Sequence, residues 1–371
     1  MNFDYSDDQK FLKQEVRKFL SARCTSATTR AILDDDSQLF DPVLWREVVE
    51  LGWIGAAIPS EHGGSGMGHV ELCAIAEELG RVVAPIPFAS TVYVFAEGIM
   101  KAGNDKQKSS LLPGIAAGEV IGCLATSDGP GLVDADTTTA TVKDGRLSGI
   151  KVPVTDGAIA THAIVLAGAD TGPGLFLVDL AADGVTQRTL KTLDPTRNVA
   201  QLTFCDTICE PLGTEGEGAA LLSAILDRAA VLFAFEQVGG ADRCLEMAKN
   251  YALERYAFGR VIGSYQAIKH KLADIYVKAE LARSSAYYGA WALATDAAEL
   301  PEAAAAARIA GSAAYDFAAK ENLQTHGGMG FTWEIDCHLH LRRARQLSLA
   351  LGGLPVWRER LVRRIERCNA A

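Results

Sequence analysis

The sequence predicts a multidomain α+β protein in which a helical domain, a strand-rich domain and a second helical domain follow one another. Its 371 residues exceed the about 100–200 residues that one hydrophobic core usually organises. Apolar residues recur at helical spacing in the first and last parts of the chain, whereas the middle part alternates as β-strands do. We therefore expect an N-terminal helical domain over residues 1–118, a middle β domain over residues 119–213 and a C-terminal helical domain over residues 214–371.

The first domain is predicted to be helical from its N-terminal end. Phe11, Val16 and Leu20 recur at the spacing that places apolar side chains on one helix face. Residues 70–81 repeat this pattern after the Gly-rich turn EHGGSGMG, and Pro85 interrupts the chain soon afterwards. These features predict amphipathic helices joined by turns.

Short strands and tight turns are expected in the middle domain. Runs such as TTTATV, AIVLAG and GLFLVDL are rich in Thr, Val and other residues that favour strands. Turn residues separate these runs, and Asp-Gly pairs are typical of tight hairpins. We therefore expect several β-hairpins. The turns lie at Asp144-Gly145, Asp156-Gly157, Gly172-Pro173-Gly174 and Asp183-Gly184.

The last domain is predicted to be a bundle of long antiparallel helices. Its apolar stretches are long and their connections are short, as in helical bundles. Pro301 followed by Glu302 is a favourable helix start. The expected helices cover residues 218–256, 267–296, 301–320, 334–351 and 356–368.

Composition excludes several classes of function. The net charge of −10 argues against a surface built for nucleic acid. No apolar run reaches about 18 residues without a charge, which predicts no membrane-spanning helix, and the acidic N-terminus lacks the features of a signal peptide. Eight cysteines without a CxxC pair predict free thiols in a reducing compartment, a cytoplasmic protein and no metal site.

Two polar segments interrupt the C-terminal helices. In RYAFGRVIGSYQ, Arg255 offers a guanidinium fork to phosphate, Phe258 an aromatic face and Gln266 an amide. The alternative interpretation is a helix C-terminus, predicted to end at Gly259, that carries cations for its dipole.

The second segment is QTHGGMGF, which contains three glycines in four residues. Gln324 precedes them, and Gly327 and Gly328 leave the backbone without side chains. Such a sequence permits close approach of the backbone to a ligand or simply a tight turn. The spacing alone does not distinguish the two.

Together these segments carry a resemblance to a known family. The whole chain resembles the acyl-CoA dehydrogenases, from SDDQKFLKQEVRKFL through LGWIGAAIPSEHGGSGMGHVELCAIAEELGR to RYAFGRVIGSYQAIKHKLADI and QTHGGMGF. The resemblance implies an N-terminal helical domain, a middle β-barrel and a C-terminal four-helix bundle. It also implies FAD bound between barrel and bundle, with a neighbouring subunit completing the site.

The same resemblance implies which residues bind FAD. Arg255 matches the arginine that reaches the pyrophosphate of the other subunit's FAD, with Phe258 and Gln266 beside it. Gln324, Gly327 and Gly328 match the stretch where the backbone approaches the adenosine diphosphate half. A bound anion needs a fixed cation and unobstructed backbone, which these residue types supply.

The flavin side of the site is expected in the β domain. Thr155 in GIKVPVTDG matches a threonine whose hydroxyl lies near the flavin N5, although it could be an ordinary strand residue. Pro153 replaces the aromatic residue usual in this strand. Thr126 and Ser127 lie in LATSDGPG, where the family has TEPGAGS, and could donate to FAD or substrate.

The family's catalytic base is missing from both of its known positions. The reaction removes the α proton of an acyl-CoA with a carboxylate while the β hydride moves to flavin N5. Leu351 stands where most members have glutamate, and Ala229 stands at the alternative position on the first bundle helix. Ala230 also replaces the arginine that accompanies that alternative glutamate.

One acid remains inside the apolar part of that helix. Glu236 lies about two turns after Ala229 and is the predicted base, because burial raises a carboxyl pKa. The alternative is a structural glutamate paired with an arginine such as Arg243 or with a backbone group. Asp227 and Asp194 are weaker choices that we expect to be exposed.

The expected function is FAD-dependent α,β-dehydrogenation of an acyl-CoA thioester. The segments ALGG and EQVGGA resemble a bacterial subgroup that acts on bulky CoA thioesters of steroid or terpenoid origin and lacks the usual glutamate. Two alternatives remain open: a non-catalytic subunit of a heteromeric acyl-CoA dehydrogenase, and a flavin monooxygenase or oxidase. The expected partners are an acyl-CoA substrate, an electron-transfer flavoprotein or similar acceptor, and a second copy or a paralogous subunit in a homo-oligomer or heterotetramer.

Overall fold

The computed structural model describes residues 5–130, 133, 135–214 and 216–370. Helices come first, strands occupy the middle and long helices follow, so the predicted fold class is confirmed. The N-terminal helices are α1 (Asp7–Arg23), α2 (Ser26–Leu33), α3 (Pro42–Glu50), α4 (His69–Val82), α5 (Glu97–Ala102) and α6 (Asp105–Ala116). The C-terminal helices are α7 (Gly218–Glu254), α8 (Gln266–Ala294), α9 (Leu300–Thr325), α10 (Cys337–Leu349) and α11 (Leu354–Ala370).

Local chemistry explains where several helices begin. Ser6 and Gln9 form a capping box at the start of α1, where the hydroxyl of Ser6 accepts from the amide of Gln9 at 3.2 Å. The side chain of Gln9 accepts from the amide of Ser6 at 2.9 Å. Asn104 and Gln107 form the same reciprocal pair at the start of α6. These pairs satisfy amide groups that a helix leaves without intrahelical partners.

The strands of the middle segment form one mixed sheet. The strands are β1 (Gly122–Ala125), β2 (Thr141–Lys143), β3 (Arg146–Thr155), β4 (His162–Ala169), β5 (Gly172–Asp179), β6 (Val185–Leu190), β7 (Val199–Ile208) and β8 (Glu210–Leu212). Hydrogen bonds join them in the order β6-β7-β3-β2-β4-β5-β8, and β1 pairs with β4 in parallel. The turn Asp144-Gly145 has positive φ at both residues and joins β2 to β3, as its sequence predicts.

Apolar side chains fill the interior of this sheet. Leu147, Val154, Val165, Phe176 and Leu202 belong to its buried cluster. Each of these strands contributes buried residues, because alternate side chains of a strand point to opposite faces. This cluster is the core of the strand-rich segment.

The chain divides into two compact units. The helical unit comprises Met1–Thr29, Cys73–Ala84 and Ala230–Ala371. The sheet unit comprises Arg30–Leu72 and Pro85–Ala229. The domain boundaries expected from the sequence follow chain order and stay a prediction.

Within the helical unit, α4 and α7 approach closely enough that only glycine fits. A Cβ atom on Gly80 would lie 1.9 Å from the carbonyl oxygen of Glu236. Likewise, a Cβ atom on Gly239 would clash with the carbonyl oxygen of Glu77. The two glycines therefore fix the crossing of these helices.

The apolar helix α7 is a core element. By length and composition alone it could cross a membrane, since it has 37 residues and one 18-residue window has a mean hydropathy of 1.7. However, 61% of that window is buried inside the protein. This degree of burial is typical of the central helix of a folded domain.

Candidate active site

Thr155 is the last residue of β3 and lies in the sheet unit. It pairs with Val199 of β7, just after a register shift between Lys151 and Val154. Such irregularities redirect side chains and are frequent next to active sites. The Thr155 hydroxyl is partly exposed and makes no hydrogen bond among the described residues, so it can donate to a ligand.

A buried polar turn fixes the backbone that follows Thr155. Asp156 is 1% exposed and has a φ of 55°. Its carboxylate accepts hydrogen bonds from the hydroxyl of Ser90 at 2.7 Å and from the side-chain amide of Asn198 at 3.3 Å. The guanidinium of Arg197 lies 3.9 Å away. These contacts hold the end of β3 in one conformation.

Thr126 and Ser127 lie in the loop after β1 and are partly exposed. The backbone amide of Val152 in β3 donates to the carbonyl oxygen of Ser127 at 2.8 Å. Asp128 also forms a parallel bridge with Val152. The loop therefore runs beside β3, three residues before Thr155, which brings the three predicted flavin-side residues to one stretch of the sheet unit.

The Arg255 segment in the helical unit is a hairpin. Helix α7 ends at Glu254, not at Gly259, because β9 (Tyr256–Ala257) and β10 (Arg260–Val261) pair around a turn. Phe258 and Gly259 form this turn with φ values of 53° and 83°. Both turn residues adopt the left-handed backbone conformation, which lets the chain reverse where a continued helix was expected.

The side chains of this segment are available to a ligand. Phe258 is 97% exposed, and Arg255 and Gln266 are also exposed. Among the described residues, no side-chain hydrogen bond or ion pair engages Arg255. By contrast, Arg260 stacks on the ring of Tyr265 at 4.0 Å. Arg255 is therefore an exposed arginine whose guanidinium can bind an anion.

The glycine segment follows α9. Gln324 is exposed near the end of that helix, and a short 3-10 turn covers Gly327–Phe331. No atom lies within 4 Å of a Cβ position built on Gly327 or on Gly328. The backbone here borders open space, so a ligand can approach it closely. Gly327 also has a φ of 60°, which favours glycine.

Glu236 is fully buried in the helical unit. Its Oε1 atom lies 3.4 Å from Nη1 of Arg343, whose guanidinium also donates to the carbonyl oxygen of Ala84 at 3.3 Å. Arg308 is equally buried and donates to the carbonyl oxygen of Leu347. Burial lowers the pKa of Arg308 to about 9, and the charge of Glu236 opposes that shift.

This environment bears on the role of Glu236. The ion pair with Arg343 engages the Glu236 carboxylate inside the protein, so proton abstraction would first require this pair to break. The pairing favours the structural alternative, with Arg343 as the partner rather than Arg243. The two usual base positions are occupied by Leu351 and Ala229, both buried and unable to accept a proton.

Asp227 and Asp194 are buried, so the expectation that they are exposed was wrong. Asp227 is 3% exposed and Asp194 is 2% exposed. Asp194 accepts hydrogen bonds from the backbone and hydroxyl of Thr196 within its own turn. The arginines near these two residues, Arg228 and Arg197, are buried as well, so an adjacent arginine did not indicate exposure.

Lys151 is a residue that the sequence reasoning missed. It is fully buried in β3, where its ammonium group contacts the loop that carries Thr126 and Ser127. The signal in the sequence is a lysine inside the otherwise apolar strand GIKVPV. A buried lysine needs acceptors, so its position alone indicates a specific polar contact.

Comparison with known proteins decides the family. The family models for the N-terminal and C-terminal domains of acyl-CoA dehydrogenases match residues 6–119 and 216–366. The chain is 33% identical over 341 residues to acyl-CoA dehydrogenase IpdE2 of Mycobacterium tuberculosis, with 91% of each chain covered. The chain belongs to the acyl-CoA dehydrogenase family.

Solved acyl-CoA dehydrogenase structures agree with this assignment. The Tcur3481-Tcur3483 steroid ACAD variant is 31% identical, with 98% of this chain and 99% of that chain covered and a TM-score of 0.90. The ChsE4-ChsE5 complex from Mycobacterium tuberculosis is 27% identical, with 100% and 99% covered and a TM-score of 0.89. The likeness to IpdE2 and to the steroid ACAD fits the bacterial steroid-type subgroup.

The activity of the family is FAD-dependent dehydrogenation of acyl-CoA thioesters, an oxidation of a CH–CH bond. The residues present fit the cofactor. An exposed arginine, partly exposed hydroxyl groups and side-chain-free backbone are the donors that a dinucleotide with a pyrophosphate requires. The comparisons do not favour either alternative, which are a flavin monooxygenase or oxidase and a non-catalytic subunit.

Proposed function

We propose that two sets of residues bind FAD for acyl-CoA dehydrogenation. In the sheet unit, Thr126, Ser127 and Thr155 face the flavin ring. In the helical unit, a second set binds the pyrophosphate and adenosine diphosphate part of a neighbouring subunit's FAD. This set comprises Arg255, Phe258, Gln266, Gln324, Gly327 and Gly328. The observation that carries the proposal is the Phe258-Gly259 hairpin, which projects an exposed Phe258 beside an unengaged Arg255.

Bound FAD supplies the hydride acceptor of the reaction. The chain contributes hydroxyl groups near the ring, of which those of Thr126 and Thr155 are available as donors, and a cation that holds the pyrophosphate. We propose that the substrate is a CoA thioester with a bulky, steroid-type acyl group. The support is the likeness to a steroid ACAD along nearly the whole chain and the absence of glutamate at both usual positions.

The source of the base has two proposed solutions. In the first, Glu236 accepts the α proton, which requires Arg343 to release it. In the second, the chain works in a heteromer whose other subunit supplies the carboxylate. The ion pair between Glu236 and Arg343 favours the second solution, and one relative of the same fold is described as a ChsE4-ChsE5 complex. An assembly of at least two chains is part of both solutions.

The remaining partners follow from the chemistry. Reduced FAD must pass its electrons to an acceptor, and an electron-transfer flavoprotein is the proposed one.

The eight cysteines are all free thiols and six of them are buried, which agrees with the reducing environment of the cytoplasm. We propose a cytoplasmic enzyme.

The test is anaerobic titration of the purified protein with acyl-CoA thioesters. We expect a yellow oligomer whose visible flavin absorbance is bleached by a steroid-type CoA thioester and less readily by butyryl-CoA. Bleaching only after co-purification with a paralogous chain would assign the base to the partner. A colourless protein that takes up no FAD in either form would contradict the proposed function.

A further inference from the structure

Lys151 makes three contacts from a fully buried position in the sheet unit. Its Nζ atom donates to Oδ1 of Asp128 at 2.5 Å, to the hydroxyl of Thr138 at 2.8 Å and to the carbonyl oxygen of Thr126 at 3.3 Å. An ammonium group has three donors, and each one finds an acceptor here. Because a buried charge is costly without partners, these acceptors are held near it.

The acceptors come from two places along the chain. Thr126 and Asp128 flank Ser127, whereas Thr138 lies ten residues further on. The second carboxylate oxygen of Asp128 accepts from the backbone amide of Thr139 at 2.8 Å. Lys151 and Asp128 therefore connect the beginning of the loop after β1 to the residues that lead into β2.

Ser127 is held from the remaining sides. Its carbonyl oxygen accepts from the amide of Val152, the neighbour of Lys151 in β3, and its hydroxyl donates to the carbonyl oxygen of Gly129 at 2.7 Å. Backbone and side chain are thus both engaged. Thr126 keeps a partly exposed hydroxyl that makes no hydrogen bond among the described residues, while its carbonyl is bound by Lys151.

We propose that Lys151 is a positioning residue for the flavin-side loop. It does not reach a ligand itself, because its side chain is fully buried and all three donors are used inside the protein. It fixes the carbonyl of Thr126 and the carboxylate of Asp128, and through them the directions of the two hydroxyl-bearing residues. This inference rests on the proposed function, in which Thr126 and Ser127 face the flavin.

A fixed loop matters because donors must be in place before the reaction. Displacement of a positioning group by about 1 Å can cost about a hundredfold in rate. Lys151 is fully buried and Asp128 is partly exposed, and removing one member of such an ion pair also lowers stability. A single substitution therefore mixes the two effects. Replacing both members by apolar groups separates them, since such replacement is often neutral for stability.

The experiment compares Lys151→Met, Asp128→Asn and the double variant Lys151→Met/Asp128→Leu with the wild-type oligomer. Lys143→Met is the matched control, because this lysine is exposed in the adjacent strand β2. The measurements are the FAD dissociation constant, the absorbance spectrum of bound flavin, the rate of anaerobic flavin reduction and the melting temperature of the FAD-free protein. Asp128→Asn retains size and an acceptor, and serves if the other variants do not fold.

We expect the double variant to melt closer to the wild type than Lys151→Met does, because it leaves no unpaired charge. Its flavin spectrum should nevertheless shift, FAD should bind about tenfold more weakly and reduction should be about 10- to 100-fold slower. Lys143→Met should match the wild type in every measurement. A double variant with the wild-type spectrum, affinity and rate would show that Lys151 serves stability alone and would overturn the inference.

The variants Thr126→Val and Ser127→Ala test separately whether the loop contacts the flavin, as the proposed function requires. If both variants leave the flavin spectrum and the FAD affinity unchanged, the loop does not contact the flavin. The positioning role of Lys151 and the proposed contacts of Thr126 and Ser127 are then both wrong, although the protein still binds FAD. If they shift the spectrum and the Lys151 variants do not, only the positioning role is wrong. A wild-type protein that binds no FAD overturns both.

Discussion

Oε1 of Glu236 lies 3.4 Å from Nη1 of Arg343, and both side chains are fully buried. Glu236 belongs to α7, the helix on which the sequence predicts the catalytic base, and Arg343 belongs to α10. A buried pair of this kind is costly to break, because the remaining charge loses its partner and has no water around it. Measurements of stability and of flavin-reduction rate can therefore distinguish a structural role of Glu236 from a catalytic one.

We expect Glu236→Gln to destabilise the protein by about 3–5 kcal/mol, because Arg343 is left as an uncompensated buried charge. Chemical denaturation of the FAD-free protein measures this change. The double variant Glu236→Gln/Arg343→Met is the control and should recover most of the loss. A variant that unfolds like the wild type but reduces its flavin about 10²–10⁴-fold more slowly would instead identify Glu236 as the base.

Arg255→Ala should weaken FAD binding by about ten- to a hundredfold, since a charge-assisted hydrogen bond contributes about 1.5–3 kcal/mol. The exposed position of Arg255 predicts an unchanged melting temperature of the FAD-free protein. Flavin content after gel filtration and a titration with FAD measure the effect. Arg260→Ala, across the same hairpin, is the matched control, and equal loss of FAD in both variants would contradict the assigned role.

Gly80→Ala should destabilise the helical unit by about 1–3 kcal/mol or more, because the added methyl group would lie 1.9 Å from the backbone of Glu236. The helices α4 and α7 would have to separate. Thermal melting of the FAD-free protein measures the loss. Gly328→Ala is the control: its new methyl group meets no atom within 4 Å, so it should leave melting unchanged and weaken only FAD binding.

Glu97 predicts an acid-dependent contribution to stability in the sheet unit. Its carboxylate contacts Nε2 of His69 at 2.7 Å and Nε of Arg228 at 2.6 Å. Burial raises the pKa of Glu97, but the charges and hydrogen bonds of His69 and Arg228 outweigh burial, and the pKa lies below its ordinary value of 4.5. A depressed pKa means that the folded state releases the proton more readily than the unfolded state does.

The stabilisation from Glu97 is therefore fully present above about pH 4.5 and is lost as the pH falls below that value toward the folded-state pKa. We expect Glu97→Gln to lower the melting temperature at pH 7 and to approach the wild type near pH 3. Melting curves between pH 3 and pH 7 measure this dependence. Glu61→Gln, an exposed residue, is the control, and a pH-independent difference for Glu97→Gln would contradict the prediction.

Much of the fold could be predicted because it rests on local chemistry. The helix expected over residues 70–81 is His69–Val82 in the structure, and the hairpin expected at Asp144-Gly145 is present. Apolar periodicity and turn residues act over a few positions, so they are readable along the chain. The end of α7 was placed wrongly, because an Arg-Tyr-Ala-Phe-Gly run is compatible with a helix end and with the hairpin that forms.

The burial of charged groups could not be read in the same way. Asp227 was expected to be exposed and is buried, and Lys151 was not recognised as part of a site. The partner of Glu236 is Arg343, which is 107 positions away along the chain. Whether a charged side chain is buried depends on which distant acceptors and donors the fold places beside it.

The sequence by itself determined the order of helices and strands, the family and the residue types available to hold FAD. These properties follow from composition, spacing and motifs that are complete within short segments. Only the tertiary structure decided that Glu236 is paired with Arg343 and that Lys151 holds the loop of Thr126. The physical reason is that an ion pair or a buried hydrogen bond depends on distances between segments far apart in the chain, which folding alone sets.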